Sequence, residues 1–561
     1  MRCDPTRRRA PVPLSSILFV ILSATAMFTN LVPIDCFMHI LSFLSPGDLE
    51  ICKLVSRTWH STISNCLPLQ YKALLDHLGY IATHNTELPS LELKVVVLRE
   101  RRMRMKQRRL AQSATVHLEY HHGIAHTHLS RGVIIAANTL STTILTLQLH
   151  RLASINKGVD YECSLFIDRT QLVGYTNLVK VETALDLLVL VEFRNDGAMK
   201  FHMRSLKSGL PHPNASRPTI VNSVADIAFP QVFTHSIEIL NRRIVHSGQS
   251  DGRLTPLLTV WDWTTGDLVT STPVPGPAYA FVSDNIFVVA SNQIPRDGEH
   301  ILLSLSVFTL EGVLPGEAAR LVAMLCLPKT ECPSYPDFEF HCAPPVSIPD
   351  RHESHTRAKI FDLDENSHHL ALRLTAALTP DARNKSTGIL FIHSSGLRKL
   401  AEHLSAASQS PVFVQWGNWG FMTCWLKVEP PTPWRCIYGH RAAFLKIDSS
   451  TGDCEILVYD VRVVRTVRSR KGAVKWDLTW ELDEPMDQLF SVSGKPTRHP
   501  ALVSSFWIDT DVLPKGRASD YHLDVMIDDE HGNNSTQGRY KSLPLLNNLP
   551  MYFVYSEVKT G

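Results

Sequence analysis

Apolar residues recur with helical spacing near one end of the chain and in strand-like runs over the rest. From Pro33 onward, Phe37, Ile40, Leu41 and Leu44 fall at i, i+3, i+4 and i+7, one stripe of a helix. Pro33 suits the first helical position, where its missing N–H has no partner to lose. Ser45-Pro46-Gly47-Asp48 then reads as a stop and restart: Ser45 caps, Pro46 opens the next helix, and Asp48 reaches back to the cap N–H. This second helix carries Leu49, Cys52 and Val55, and Ser56 caps a third with Trp59 and Ile63 one turn apart. So small a helical unit is below the size that usually folds alone, so its apolar surface needs a cover. A further helix is predicted over Leu91–Leu110. Its segment VLRERRMRMKQRRL holds eight Arg, Lys or Glu residues and reads as a solvated helix joining two domains. A nuclear-import or RNA-binding patch is the competing reading, and the lack of interleaved aromatic residues for base stacking argues against it.

After about Thr115 the texture changes to short β-branched and aromatic runs such as TTILTLQLH, LLVLVEF, NIFVVAS and CEILVYDVRVV, separated by turn signals. No long helical period is predicted beyond this point. So much antiparallel chain is commonly arranged as a propeller, whose radial repetition leaves few exposed sheet edges. TVWDWTTGDLV (Thr259–Val269) fits the closing strand of a WD-type blade, with a hairpin at Gly266 leading into the next blade. FHMRSLKSGLP (Phe201–Pro211) and SVFTLEGVLPG (Ser306–Gly316) repeat that outline at irregular spacing. A non-repeating pair of β-sandwiches is the alternative architecture. The stretch Pro328–Asp350, rich in Pro, Cys and aromatic residues, reads as a loop insertion. Arg320–Asp350 and Gln415–Trp425 combine aromatics with weak regular structure and are the expected target-binding loops.

Composition narrows the function classes. The 561 residues carry 56 basic and 54 acidic side chains, a balance that gives no support for a nucleic-acid-binding chain. Eleven cysteines, spread thinly and odd in number, fit a reducing compartment better than a disulfide framework. The first residues point the other way. Arg2, Arg7, Arg8 and Arg9 precede the apolar run Leu14–Leu22 and the small residues Ala24-Thr25-Ala26, the outline of a secretory signal. Asn214, Asn384, Asn533 and Asn534 would be glycan acceptors in a secreted chain. The run is shorter than the roughly 20 apolar residues a membrane helix needs, so a membrane anchor is not expected. Met27 opens MFTNLVPIDCF, and the working protein is expected to begin at or near it.

Reactive chemistry is thin. Cys326, Cys332, His341, Cys342, His352 and His355 lack the paired two-to-four-residue spacing of zinc ligands. His121, His122, His126 and His128 read as a polar first strand. No phosphate loop, nucleophile elbow or His-Glu-x-x-His helix occurs, so no catalytic residue, metal or cofactor is expected.

Residues 32–70 resemble an F-box: Pro33 to Leu49 follows P-x-D-x-F-x-x-I-L-S-F-L-S-P-x-D-L, and Val55 to Trp59 follows V-S-R-x-W. Two departures are Val32 in place of Leu before Pro33, and the leader in front. The resemblance implies docking on a Skp-family adaptor and, through it, on the cullin and RING subunits of an SCF-type ubiquitin ligase. Pro33, Phe37, Ile40, Leu41, Leu44, Leu49, Val55 and Trp59 would form the docking surface or its support, and spacing alone does not divide surface from support. Beyond residue 70 the chain is similar to fungal F-box proteins with a propeller-like C-terminal region. The expected organisation is multidomain, α followed by all-β: a leader at 1–30, a three-helix F-box at 31–75 and a charged helical linker at 76–112. An antiparallel, irregular propeller-like domain at 113–555 follows, with a loop insertion near 328–358. Its expected role is a non-catalytic substrate receptor in cytoplasm or nucleus that holds an unknown target protein. A secreted or membrane-tethered propeller scaffold is the alternative.

Overall fold

A computed structural model describes residues 33–44, 46–82, 90–107, 126–130, 133–140, 143–151, 162–166, 175–193, 198–222, 236–248, 255–293, 302–328, 337–341, 361–364, 368–377, 385–408, 410–428, 437–447, 454–461, 501–508, 521–527 and 551–557. The chain forms two compact units. One runs to Arg102 and includes Ile360–Asp362; the other holds the remainder.

The first unit is helical. Helix α1 (Ile34–Phe43) starts one residue later than the sequence suggests. Pro33 is its cap, because a ψ of 140° keeps that residue extended while its carbonyl accepts the Phe37 N–H at 3.1 Å. Pro46 opens α2 (Pro46–Lys53) as expected; Ser45, the expected cap, lies outside the described residues. Ser56 caps α3 (Arg57–Asn65), its hydroxyl accepting the Trp59 N–H at 3.1 Å. Helix α4 (Leu67–Leu78) ends at Gly79, whose φ of 75° is the left-handed conformation a side chain would disfavour. From α4, Lys72 donates to the carbonyls of Ser42 and Leu44 at 2.7 and 2.9 Å, placing a cation on the C-terminal end of α1. Strand β1 (Tyr80–Ala82) and helix α5 (Leu91–Gln107) complete the run. Helix α5 is solvated on one side only, for Val95 and Leu98 are buried.

The second unit is a row of antiparallel sheets in chain order. The first holds β2 (His126–Ser130), β3 (Val133–Leu140), β4 (Thr143–Arg151) and β5 (Glu162–Phe166). Next come β6 (Tyr175–Glu182), β7 (Leu187–Phe193), β8 (Met199–Ser205) and β9 (Thr219–Asn222). The third sheet is β10 (Ser236–Leu240), β11 (Arg243–Gly248), β12 (Leu257–Asp262) and β13 (Asp267–Pro273). The fourth is β14 (Tyr279–Ser283), β15 (Ile286–Gln293), β16 (Leu302–Thr309) and β17 (Arg320–Cys326). Strand β18 (Asp337–His341) begins the fifth, which skips β19 (Phe361–Leu363) and continues with β20 (His369–Ala377) and β21 (Lys385–His393). Helix α6 (Ser394–Ala407), β22 (Val412–Val414) and the short α7 (Trp416–Trp419) precede its last strand, β23 (Thr423–Val428). Strand β22 adds a parallel fifth strand to the fourth sheet. The sixth sheet is β24 (Ile437–Tyr438), β25 (Arg441–Ile447), β26 (Cys454–Asp460) and β27 (Ala501–Ile508), and β28 (Tyr521–Ile527) pairs with β29 (Met551–Glu557).

Neighbouring sheets pack face to face. Val189, Phe201, Ile244 and Trp261 join the second to the third; Val245, Val260, Phe281 and Phe287 join the third to the fourth. Val288, Leu305, Leu372 and Leu390 continue to the fifth sheet, and Phe391, Cys424, Ala442 and Phe444 to the sixth. Strand β15 shows why its run is apolar throughout: Phe287 and Val289 face one neighbour, Val288 and Ala290 the other.

Two expectations are corrected. The Gly266 hairpin joins the third and fourth strands of one sheet, as do the turns at Gly209 and Gly312, so none of the three passes from one sheet to the next. Among the described residues no strand pairing joins the last sheet to the first. A helix also interrupts the β region: α6 buries Leu397 and Ala401 at i and i+4 and is capped by His393 Nδ1, which accepts the Gly396 N–H at 3.1 Å. Its Ser- and Ala-rich sequence hides that short apolar stripe.

Candidate functional site

The apolar residues of α1 to α3 separate into an interior and an exterior. Leu41, Leu49 and Trp59 are core, packed with Cys52, Ile63 and Leu69. Phe37, Leu44 and Val55 are half-buried against that core. Burial pushes the Cys52 thiol up to about 11, helped by the nearby Asp48, so this cysteine is an inert packing group. Of the eight residues singled out by sequence, Pro33 is exposed beside the helix start, and Ile40 alone is an exposed large hydrophobic side chain, at 55%.

The same unit exposes three apolar side chains that spacing did not select: Ile34 at 59%, Phe43 at 74% and Leu54 at 77%. Phe43 lies one turn beyond Ile40 on α1, with the His39 ring edge-on at 4.8 Å. Residues Ile40 and Phe43 therefore share one outward face, while Phe37, Leu41 and Leu44 share the inward one. The signal was present in the sequence: α1 is apolar around more of its circumference than one stripe requires. With Ile40, these make four large apolar side chains exposed on the helical unit.

Elsewhere the described residues hold no group of three or more side chains suited to a metal ion. Cys326 sits on β17, its thiol raised by burial, and its carbonyl accepts the Trp419 indole N–H at 3.0 Å. His341 pairs with Glu339 at 3.1 Å. Cys332, Cys342, His352, His355, His121 and His122 lie outside the described residues, and His126 and His128 occupy alternate positions of β2. The expectation that Gln415–Trp425 is a binding loop is overturned, because Trp419 and Trp425 are fully buried and belong to the core between the fourth and fifth sheets. Of Arg320–Asp350, β17 and β18 take two parts, and 329–336 and 342–350 lie outside the described residues.

With this geometry in hand, comparison with known proteins is informative at one end of the chain. The F-box domain family matches residues 30–71, the segment that forms α1 to α3 and opens α4. The chain thus carries a small helical F-box followed by a large antiparallel β region. F-box domains typically bind Skp-family adaptors within SCF complexes, and proteins that carry them are generally non-catalytic adaptor subunits. No curated protein matches the chain. Among solved structures, an uncharacterized protein of Listeria monocytogenes EGD-e, lmo1340, is similar at 10% identity and a TM-score of 0.33, over 62% of this chain and 83% of its own. Oligopeptidase B from Leishmania major is similar at 11% identity and a TM-score of 0.25, over 59% of this chain and 37% of its own. At these scores neither likeness bears on fold or function.

Proposed function

We propose that the chain is the substrate-recognition subunit of an SCF-type ubiquitin ligase, with the F-box docking a Skp-family adaptor and the β region holding a target protein. The observation that carries this reading is the exposed apolar group Ile34, Ile40, Phe43 and Leu54 on a folded F-box unit. These side chains have packed helices beneath them and solvent above, as a docking surface requires. Leu41, Leu49 and Trp59 support that surface from below. The chain performs no proton transfer of its own: it raises the effective concentration of a target lysine near the ligase's charged enzyme.

For the β region the reading is a propeller-like target binder. Its support is the succession of four-stranded meanders packed face to face in chain order. Small-angle scattering and a high-resolution structure of the whole chain would show whether the row closes. The compartment that fits the ligase reading is cytoplasm or nucleus.

Co-purification decides the reading. Full-length protein should capture a Skp-family adaptor and, through it, cullin; Phe43→Asp with Leu54→Asp should lose both. Retained capture by this double variant would sink the proposed surface. Recovery of a protein in the medium with glycan at Asn214, an exposed acceptor, would favour the secreted scaffold instead.

A further inference from the structure

The helical unit is not made from one continuous piece of chain. Phe361 and Asp362, which in sequence belong to the middle of the β region, fold as part of it. Strand β19 pairs with β1 in a two-stranded sheet. Phe361 is 1% exposed and among the largest fully buried side chains of the protein. Its ring stacks on Tyr80 with centroids 4.4 Å apart and planes 27° off parallel. The guanidinium of Arg101, on α5, lies 5.1 Å from the Tyr80 ring centre and 5.3 Å from that of Phe361. One cation thus covers both rings, and the three side chains tie the end of α4, strand β1 and helix α5 to the incoming segment.

From this geometry we infer that the segment at Phe361 is a strap that completes the helical unit and holds α4, β1 and α5 in order. Two three-residue strands make a ladder too short to persist by itself. What retains it is burial of two aromatic rings and the cation–π contact. The F-box core is built differently. Its cluster of Leu41, Leu49, Cys52, Trp59, Ile63 and Leu69 includes neither Tyr80 nor Phe361. Loss of the strap should therefore loosen α4, β1 and α5 while leaving α1 to α3 folded. The strap is thus a built-in conformational device, in which order at the far end of the F-box unit depends on a segment delivered from within the β region.

Hydrogen–deuterium exchange on the full chain tests it. Phe361→Ala should raise exchange about tenfold or more in peptides spanning 70–82 and 91–102, with peptides spanning 37–63 and 187–205 held within about twofold of wild type. Phe361→Tyr, which keeps the stacked ring, should restore protection, and Arg101→Gln should reproduce part of the loss in the same peptides. Unchanged exchange across 70–102 in Phe361→Ala would overturn the strap. So would an equal rise in every peptide, since that would make Phe361 a general core residue rather than a local tie.

Discussion

The rings of Phe37 and Trp59 meet edge to face, their centroids 4.8 Å apart and their planes at 67°. This contact joins the first helix to the third and closes the F-box core over Leu41 and Leu49. Trp59→Ala removes a buried indole from a unit too small to reorganise around the void. The expected cost is roughly 3–5 kcal/mol, enough to unfold the helical unit while the sheets stay native. Differential scanning calorimetry should show a lost or lowered first transition with the larger one unmoved.

The outward residues should behave in the opposite way. Phe43→Asp and Leu54→Asp alter side chains that meet solvent, so each should change stability by no more than about 0.5 kcal/mol. Each should nevertheless weaken adaptor capture by roughly tenfold or more, as loss of an apolar anchor at an interface does. Melting curves and titration calorimetry on the same preparations separate the two effects.

His202 links three strands of the second sheet, with Nε2 at 2.7 Å from Glu192 Oε2 and Nδ1 at 3.1 Å from Thr219 Oγ1. Burial outweighs the pull of Glu192 and holds its imidazole below the ordinary histidine range; burial lowers His150 as well. A depressed pKa means the unfolded chain takes up the proton first. Stability is therefore full above the ordinary histidine range, near 6.5, and is lost as pH falls below it. Urea midpoints measured at pH 7, 6 and 5 should fall less steeply for His202→Gln than for wild type.

Glu238 carries the reverse sign. Burial raises its carboxyl to about 7, against an opposing pull from Lys180. The unfolded chain ionises first as pH rises, so the destabilisation is absent below the ordinary carboxylate range and complete above about 7. Glu238→Gln should stabilise the protein on the order of 1–2 kcal/mol at pH 8, less than the full shift implies because part of the residue meets solvent, and change little at pH 4.5. Paired thermal melts at the two pH values provide the check.

Gly388 on β21 lies directly under the indole of Trp425 on β23, and an added Cβ would overlap that ring. The glycine is there for close approach rather than for a turn. Gly388→Ala should displace the buried tryptophan at a cost of about 1–3 kcal/mol, visible as a shift in tryptophan fluorescence together with a lower melting temperature.

Local rules carried the helical end of the chain. Ser56 as a cap, Pro46 at a helix start, and Trp59 with Ile63 on one buried face all depend on residues within a turn or two of each other, which the sequence displays directly. The strand runs were legible for a related reason: alternation and turn glycines such as Gly266, with its φ of 79°, are properties of adjacent residues. The F-box motif was legible because its apolar spacing and Ser-Arg-x-Trp element occur in order within one short segment.

Tertiary structure decided what spacing leaves degenerate. Ile40 and Leu41 are neighbours of equal hydrophobicity, yet one faces solvent and the other the core, because the positions of α2 to α4 select which side of α1 is covered. Trp419 and Trp425 looked like loop aromatics until the fourth and fifth sheets closed over them. Phe361 shows the limit most clearly. Nothing near it in sequence points to Tyr80 and Arg101, since stacking between residues so far apart along the chain is set by where the fold brings the backbone.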